Sequence, residues 1–417
     1  MVVQSNRRDA FGALRYRDYR RFALSLLWTS IGAQLVQTAI LWQVYVLTGS
    51  PLQLGLTGLA RALPHMFFSL VGGVIADRAN RVRLIQAGQL LNGLLLVGLA
   101  VVTYTGHVQV WHLYVVTFLN SAFTAATQPA RTALIPMLIP NEQLVDGVAL
   151  NATITQVSQI VGPALAGIVI SEFSLDATYG VNAAVYLVAM LSILGIRTPA
   201  TPPSTSESPW RSFVEGLQFV RQKPVILSLL ALDLSATVLG SYRALLPIFA
   251  ERLGTGVQGY GWLSTAPGIG SLIGAAWIMS LGNVRYKGLY TVTGVLGYCV
   301  ALVILPLSPW FWLALVASGL LGATNSIQVV PRNTAILAVS PNSFRGRVEA
   351  FRSMLAGGGP PVGFMLSGAL AAAFGPVVAV VGGAVACAAL VTVIGVTRRE
   401  LHDPDLGKVP AVEIERN

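Results

Sequence analysis

The chain has 417 residues, of which 54% are hydrophobic and only 11% charged, against roughly 25% charged in a soluble domain; an ordinary cytosolic enzyme is excluded. The net charge of +10 does not mark a nucleic-acid binder, because such a protein displays Lys and Arg on a water-facing surface and little soluble surface is predicted here. Cys299 and Cys387 both sit inside apolar runs without metal-ligand spacing, so neither a disulfide framework nor a zinc site is implied.

Stretches free of Asp, Glu, Lys and Arg run, for example, from Phe22 to Ala60, Leu84 to Ala130, Gly288 to Pro331 and Ser353 to Thr397. A helix needs only about 20 such residues to cross a bilayer. Divided at Gly, Pro and polar turn clusters, these stretches predict an all-α membrane protein of about twelve helices, starting near residues 22, 52, 84, 111, 148, 177, 224, 258, 288, 310, 350 and 376. The first apolar run extends well past a signal peptide's apolar region of about 7 to 15 residues, so it is expected to remain as the first helix. With the N-terminus inside, 22 of the 27 Lys and Arg fall on inner segments and only Arg252 on an outer loop. Short cytoplasmic loops collect basic residues, which predicts a multi-pass protein of a bacterial-type inner membrane with both termini cytoplasmic.

Thr198 to Pro209 is a Pro- and Ser-rich linker near mid-chain. Trp210 to Lys223 then places Phe213, Leu217 and Val220 on one helical face, the pattern of a helix lying on the inner membrane surface. The expected organisation is a six-helix half at 1–197, a cytoplasmic connector at 198–223, and a second six-helix half with a short tail at 224–417. The halves repeat weakly. Asp77 and Arg81 align with Asn283 and Lys287, and Arg131 and Pro140-Asn141 with Arg332 and Pro341-Asn342. Internal repeats of this kind build many secondary transporters, with the substrate site near the midplane between them.

The strongest local pattern is Gly73-x-x-x-Asp77-Arg78-x-x-Arg81-x-Arg83, between helices two and three. It resembles the loop signature of the major facilitator superfamily. Gln43 to Ser50, Pro129-Ala-Arg131 and Tyr242-Arg243 to Pro247 are similar to the branch that contains the enterobactin exporter and the macrolide efflux proteins. The resemblance implies a gating role for Asp77, whose carboxylate would face the positive N-terminal end of helix eleven near Gly346 to Ala350. Arg78, Arg81 and Arg83 would bind neighbouring carboxylates or headgroups, or serve only to set topology. Gly162-Pro163, followed by Gly167, resembles the helix-bend motif of exporters, where small residues permit close packing. Gly357-Gly358-Gly359-Pro360-Pro361 is expected to soften or break helix eleven.

Ionisable groups at membrane depth are functional candidates by default. Asp233 is the acid placed deepest, and it is the candidate proton-coupling residue: an acid alternately paired and unpaired, wetted and dried, takes up and releases a proton. Arg61 is its expected partner by charge; the alternative is that Asp233 stays hydrated near the inner interface. Arg61 and His65 share a face of helix two. Arg243 stands ten residues after Asp233, about 15 Å along one helix and out of direct reach. Arg131 and Arg332, placed with the gating group by resemblance, are long enough to snorkel to headgroups instead. Gln34, Gln37, Thr38 and Asn120 are uncharged cavity candidates. Because Arg61 and Arg243 outweigh Asp233, the cavity is expected to favour anionic or zwitterionic amphiphiles.

The expectation is a monomeric exporter of a small amphipathic molecule working by alternating access and proton antiport, with lipids as neighbours. It would need no cofactor or metal and have no enzymatic activity. A lipid or lysolipid flippase is the transport alternative. A polytopic receptor would be expected to append a larger soluble output domain than the short tail from Arg398.

Overall fold

The computed structural model describes residues 12–78, 80–196, 217–282 and 285–404, with side chains at all of these except 69–78, 342, 343 and 350. Among the described residues there is no strand. The long helices are α1 (Arg17–Thr48), α2 (Pro51–Arg78), α3 (Arg81–Tyr104), α4 (Val110–Leu138), α5 (Leu144–Glu172), α6 (Leu175–Ser192), α7 (Pro224–Val238), α8 (Leu246–Arg252), α9 (Gly256–Ser280), α10 (Lys287–Leu307), α11 (Phe311–Val339), α12 (Asn342–Phe374) and α13 (Pro376–Thr397). Among the described residues, ten spans are long and apolar enough to cross a bilayer, α7 and α8 counting together as one. With α2 and α4, of 28 and 29 residues, they make twelve crossings.

Helices dominate because lipid offers backbone N–H and C=O groups no partners, so each crossing must satisfy its own. The outward faces carry what a soluble protein would bury: Leu94, Val101, Ile273, Val316 and Val396 are all exposed. Proline opens α2, α7 and α13, where its missing N–H costs no intrahelical bond.

Two expectations are corrected. Helix α12 is continuous through Pro360 and Pro361 and starts at Asn342 rather than near 350. Each proline forgoes one intrahelical hydrogen bond, yet the helix runs on through both. It is the seventh crossing that breaks, between Val238 and Leu246.

The chain divides into two compact units, one of residues 1–47 and 63–205, the other of 48–62 and 206–417. The division falls inside the connector at 198–223, and the second unit also takes the first part of α2. In the first unit, α3 packs on α4 and α6 around Tyr19, Phe22, Ile85, Leu134 and Ile193. In the second, α11 packs on α9 and α10. Backbones touch there: a Cβ on Gly270 would strike Gly319, one on Gly274 would strike Ala323, and one on Gly322 would strike Pro267. Close approach through small residues is how helices associate where lipid supplies no hydrophobic drive. Gly55 and Gly58 of α2 meet Phe364, Gly368 and Pro361 of α12 in the same way. Of the surface helix expected at 210–223, only its later part lies within the described residues; 217–222 are helical, with Phe219 stacked on Phe344 at 4.6 Å.

Candidate functional site

The second unit contains two features that membrane helices avoid unless something holds them. The first is the break in the seventh crossing. Leu239 and Gly240 direct their N–H groups to the Ser235 carbonyl at 2.9 and 3.2 Å, and the Tyr298 hydroxyl of α10 donates to the Gly240 carbonyl at 3.0 Å. Glycines of neighbouring helices admit the non-helical segment: a Cβ on Gly363 of α12 would strike the Thr237 carbonyl and Ser241, and one on Gly383 of α13 the Leu239 carbonyl. Non-helical backbone at membrane depth persists where protein packs it or where it lines a cavity; here protein clamps it from three sides.

The second feature is an ion pair. Asp233, 9% exposed, is bridged to Arg332 of α11, 3% exposed. Gln328, one turn earlier on α11, accepts from Arg332 Nη1 at 3.3 Å. Nearby on α12, Arg352 is held by Glu349, with Arg352 Nε donating to Glu349 Oε2 at 2.8 Å, and the charge of Arg352 acts on both Asp233 and Arg332. A buried carboxylate therefore touches one arginine and senses a second. The Cys387 thiol contacts the Ser235 hydroxyl at 3.7 Å, one turn along the face of α7 that carries Asp233's neighbour Leu232.

These contacts correct three expectations. The partner of Asp233 is Arg332, not Arg61. Arg332 does not snorkel to headgroups; it points inward, because the carboxylate compensates its charge better than a long reach to the interface would. Asp233 and Arg243 do not lie on one continuous helix, since the break separates them.

Arg243 lies just beyond the break, exposed, and within electrostatic reach of Tyr242, Tyr298 and Tyr260. Arg61 of α2, also exposed, feels the charge of Arg243. Three tyrosines thus lie around the Arg243 guanidinium, a grouping that sequence spacing did not reveal.

In the first unit several interior polar groups are neutral, alongside the half-buried Arg81 and Arg131. Gln89 donates to Ser25 and Thr29, both at 2.8 Å; Tyr179 donates to Gln43 at 2.7 Å; Asn182 donates to the Gly32 carbonyl at 3.0 Å. Asn120 donates to Asn92 at 2.7 Å and to Tyr186 at 3.4 Å, so this cavity candidate belongs to a helix-joining chain. Thr38 is buried and donates to the Gln34 carbonyl at 2.9 Å, whereas Gln34 and Gln37 are half-buried. Arg131, half-buried, senses the Tyr186 hydroxyl. Gly162 brings α5 against Ile31, Gln34 and Leu35 of α1, and Pro163 and Gly167 are buried beside it. His65 is half-buried on α2.

Of the loop signature, the side chains of Gly73, Asp77 and Arg78 lie outside the described residues. Arg81 reaches α4, donating to the Ala133 carbonyl at 3.1 Å. Arg83 is exposed, and its backbone N–H is capped by Asn80 at 3.1 Å.

Twelve crossings in two units, with a broken span and an intramembrane ion pair, define a membrane transporter of the major facilitator fold rather than an enzyme. The chain belongs to the major facilitator family described as transmembrane secretion effectors, which it matches over residues 9–409. It is similar to the enterobactin exporter EntS of Shigella boydii serotype 18 and to that of Escherichia coli O139:H28, each 24% identical over 359 residues and each aligned over 86% of both chains. Among solved structures, it is similar to the nucleoside transporter NupG, with a TM-score of 0.72 at 13% identity over 91% of this chain and 98% of that one. A bacterial homologue of the human lysosomal transporter Spinster aligns with a TM-score of 0.66 at 17% identity, over 91% of this chain and 95% of that one. At such identities these structures establish the fold alone.

Proposed function

We propose that the protein exports a small amphipathic molecule of the siderophore or drug class by proton antiport. It would act as a monomer in a bacterial inner membrane, with both termini cytoplasmic. The buried Asp233–Arg332 ion pair carries this proposal. A carboxylate held by a guanidinium in low dielectric has two states, paired and protonated, and only the first needs the arginine in place. Protonation of Asp233 frees Arg332, unpins α7 from α11 and gives the helices a reason to rearrange; deprotonation restores the pair. The exporter relatives support the direction of transport, and the clamped break in the seventh crossing supplies a place where the helix can yield.

The test is transport in liposomes holding the purified chain under an imposed pH gradient, with enterobactin as the first probe and a panel of antibiotics and lysolipids beside it. Asp233→Asn is expected to abolish gradient-driven accumulation while leaving gradient-free exchange measurable. Accumulation by this variant against a gradient would exclude Asp233 as the coupling group, and lysolipid movement alone would favour a flippase.

A further inference from the structure

A groove on the tail side of the second unit takes no part in the coupling chemistry. Leu289 and Leu296 of α10 line it together with Thr392 and Val396 of α13, and the short 3-10 turn Arg399–His402 closes one end with Leu401 and His402. At its floor the two helices meet, Gly395 lying against Val292. The closed end is firmly built: Leu401 is 1% exposed, and a Cβ on Gly288 would strike its carbonyl. At about 190 Å³ the groove is smaller than the roughly 300 to 1,000 Å³ of pockets that enclose a drug-sized ligand. Leu289, Thr392 and Val396 are exposed, so it opens on the outer face of the helices. Aromatic rings mark its level. Trp277 of α9 pairs with Tyr290 of α10 at 6.4 Å between centroids, and Tyr286 is exposed beside them, the residue types that collect at a membrane–water interface. Basic residues flank it: Lys287, Arg398 and Arg399 each stand two residues from a lining residue. Glu400 and Asp403, the acids of the same segments, are outnumbered by Arg285, Lys287, Arg398 and Arg399.

We propose that this groove binds one anionic phospholipid, with an acyl chain between α10 and α13 and the phosphate at Lys287, Arg398 and Arg399. The apolar walls accept a chain, but every membrane lipid offers one, so the headgroup decides. A net negative headgroup gains from the basic rim, whereas the amine of a zwitterionic one is repelled by it; basic pockets between membrane helices on the cytoplasmic side hold anionic headgroups in this way, and the proposed topology puts the groove on that side. The charge is not there for the helix's own sake. α10 opens on Lys287 with no acid in its first turn and no side chain capping it, and a cation at that end is opposed by the helix dipole. A second copy of the chain is a poorer occupant, because two basic rims pressed together repel. Occupancy also reaches the seventh crossing. Tyr298 of α10 and Gly383 of α13 both clamp its break, so a lipid that ties α10 to α13 steadies the clamp.

Binding can be measured without transport. The purified, delipidated full chain in detergent is titrated with palmitoyl-oleoyl phosphatidylglycerol and with the phosphatidylethanolamine of the same chains, and retained lipid is counted by native mass spectrometry. The first phosphatidylglycerol is expected to bind roughly tenfold or more tightly than the first phosphatidylethanolamine, since each basic residue near a membrane surface contributes about fivefold. Lys287→Gln and Arg399→Gln should each lower that preference by about fivefold. Val396→Trp, which fills the groove with an indole, should weaken retention of both lipids. Arg221→Gln removes an exposed charge of the same unit outside the groove and should leave the preference intact, and sn-glycerol 3-phosphate, a headgroup without chains, should not displace the lipid. Equal retention of the two lipids would overturn the proposal. So would an Arg221→Gln loss as large as that of Arg399→Gln, which would mean diffuse surface charge, or retention unchanged in Val396→Trp. Displacement by glycerol phosphate would make the place a site for small phosphates instead, and dimers that Val396→Trp dissolves would make it a seat for a second copy; either outcome excludes the lipid.

Discussion

The two units solve the same problem, keeping polar groups inside a membrane, in different ways. The first uses amides and hydroxyls: Gln89 with Ser25 and Thr29, Gln43 with Tyr179, and Asn92 with Asn120. Its acids with described side chains, Asp18, Glu142, Asp146, Glu172 and Asp176, all stand at or beside helix ends. The second unit instead buries a carboxylate with an arginine and tolerates a broken crossing next to them. Neutral amides hold helices in register but do not change charge when a proton arrives; an ion pair does. On the proposed mechanism, the first unit positions and the second responds.

The largest effect that distinguishes them is expected from Arg332→Leu. Removing one partner of a buried ion pair leaves the other uncompensated, at a cost of about 3 to 5 kcal/mol. Denaturant unfolding in detergent should show that loss, and the double variant Asp233→Leu with Arg332→Met should recover most of it, because no charge is then stranded. Transport should be lost in both. If the double variant is as unstable as the single, the pair is held by geometry rather than by charge compensation.

The clamp around the break comes next. Gly363→Ala drives a methyl group toward the Thr237 carbonyl and Ser241, backbone and short side chain that cannot swing aside; overpacking of this kind costs about 1 to 3 kcal/mol. Gly162→Ala in the first unit meets Gln34 and the Ile31 carbonyl and should destabilise by a similar amount. Gly358→Ala, on the same helix as Gly363 but with nothing near its Cβ, should be neutral or slightly stabilising. The two damaging variants should part company in transport. Gly363→Ala, which presses on the break, should slow turnover at permissive temperature, and Gly162→Ala, which presses on two continuous helices, should reduce folded yield while turnover per folded molecule stays near normal.

Charge-free runs bounded by turns are long-range signals of membrane span, and most crossings start within four residues of where they were expected. Helix α12 is the largest departure, because Arg345, Arg347 and Arg352 read as loop, whereas the helix carries them and pairs Arg352 with Glu349 one turn away. The break was misassigned for a related reason. Three glycines and two prolines at 357–361 are conspicuous, yet the helix runs on through them, while the real break has only Gly240 in sequence and is made by Tyr298 and by glycines of other helices. The Asp233–Arg332 pair was hidden because spacing along a chain carries no information on which helices become neighbours. Gln89 and Asn92 on α3, polar residues three apart in an apolar helix, were a visible sign of the first unit's network that charge-based reading passed over.

The smallest effect should come from that network. Gln89→Leu removes the donors to Ser25 and Thr29 at a site where Gln89 is only 1% exposed. In a soluble core the stranded hydroxyls would be expensive, but Thr29 also donates to the Ser25 carbonyl at 2.7 Å, so its hydroxyl keeps a partner. Interhelical hydrogen bonds in membranes average about 0.6 kcal/mol because the unfolded helices also find partners in lipid. The leucine returns apolar contact of similar volume, so the net loss should stay below about 1 kcal/mol. Unfolding in detergent should show that small shift, and proton-driven transport should remain near the unsubstituted level. A loss of transport as complete as that of Asp233→Asn, at unchanged stability, would move the responsive chemistry into the first unit and overturn the division of labour between the two.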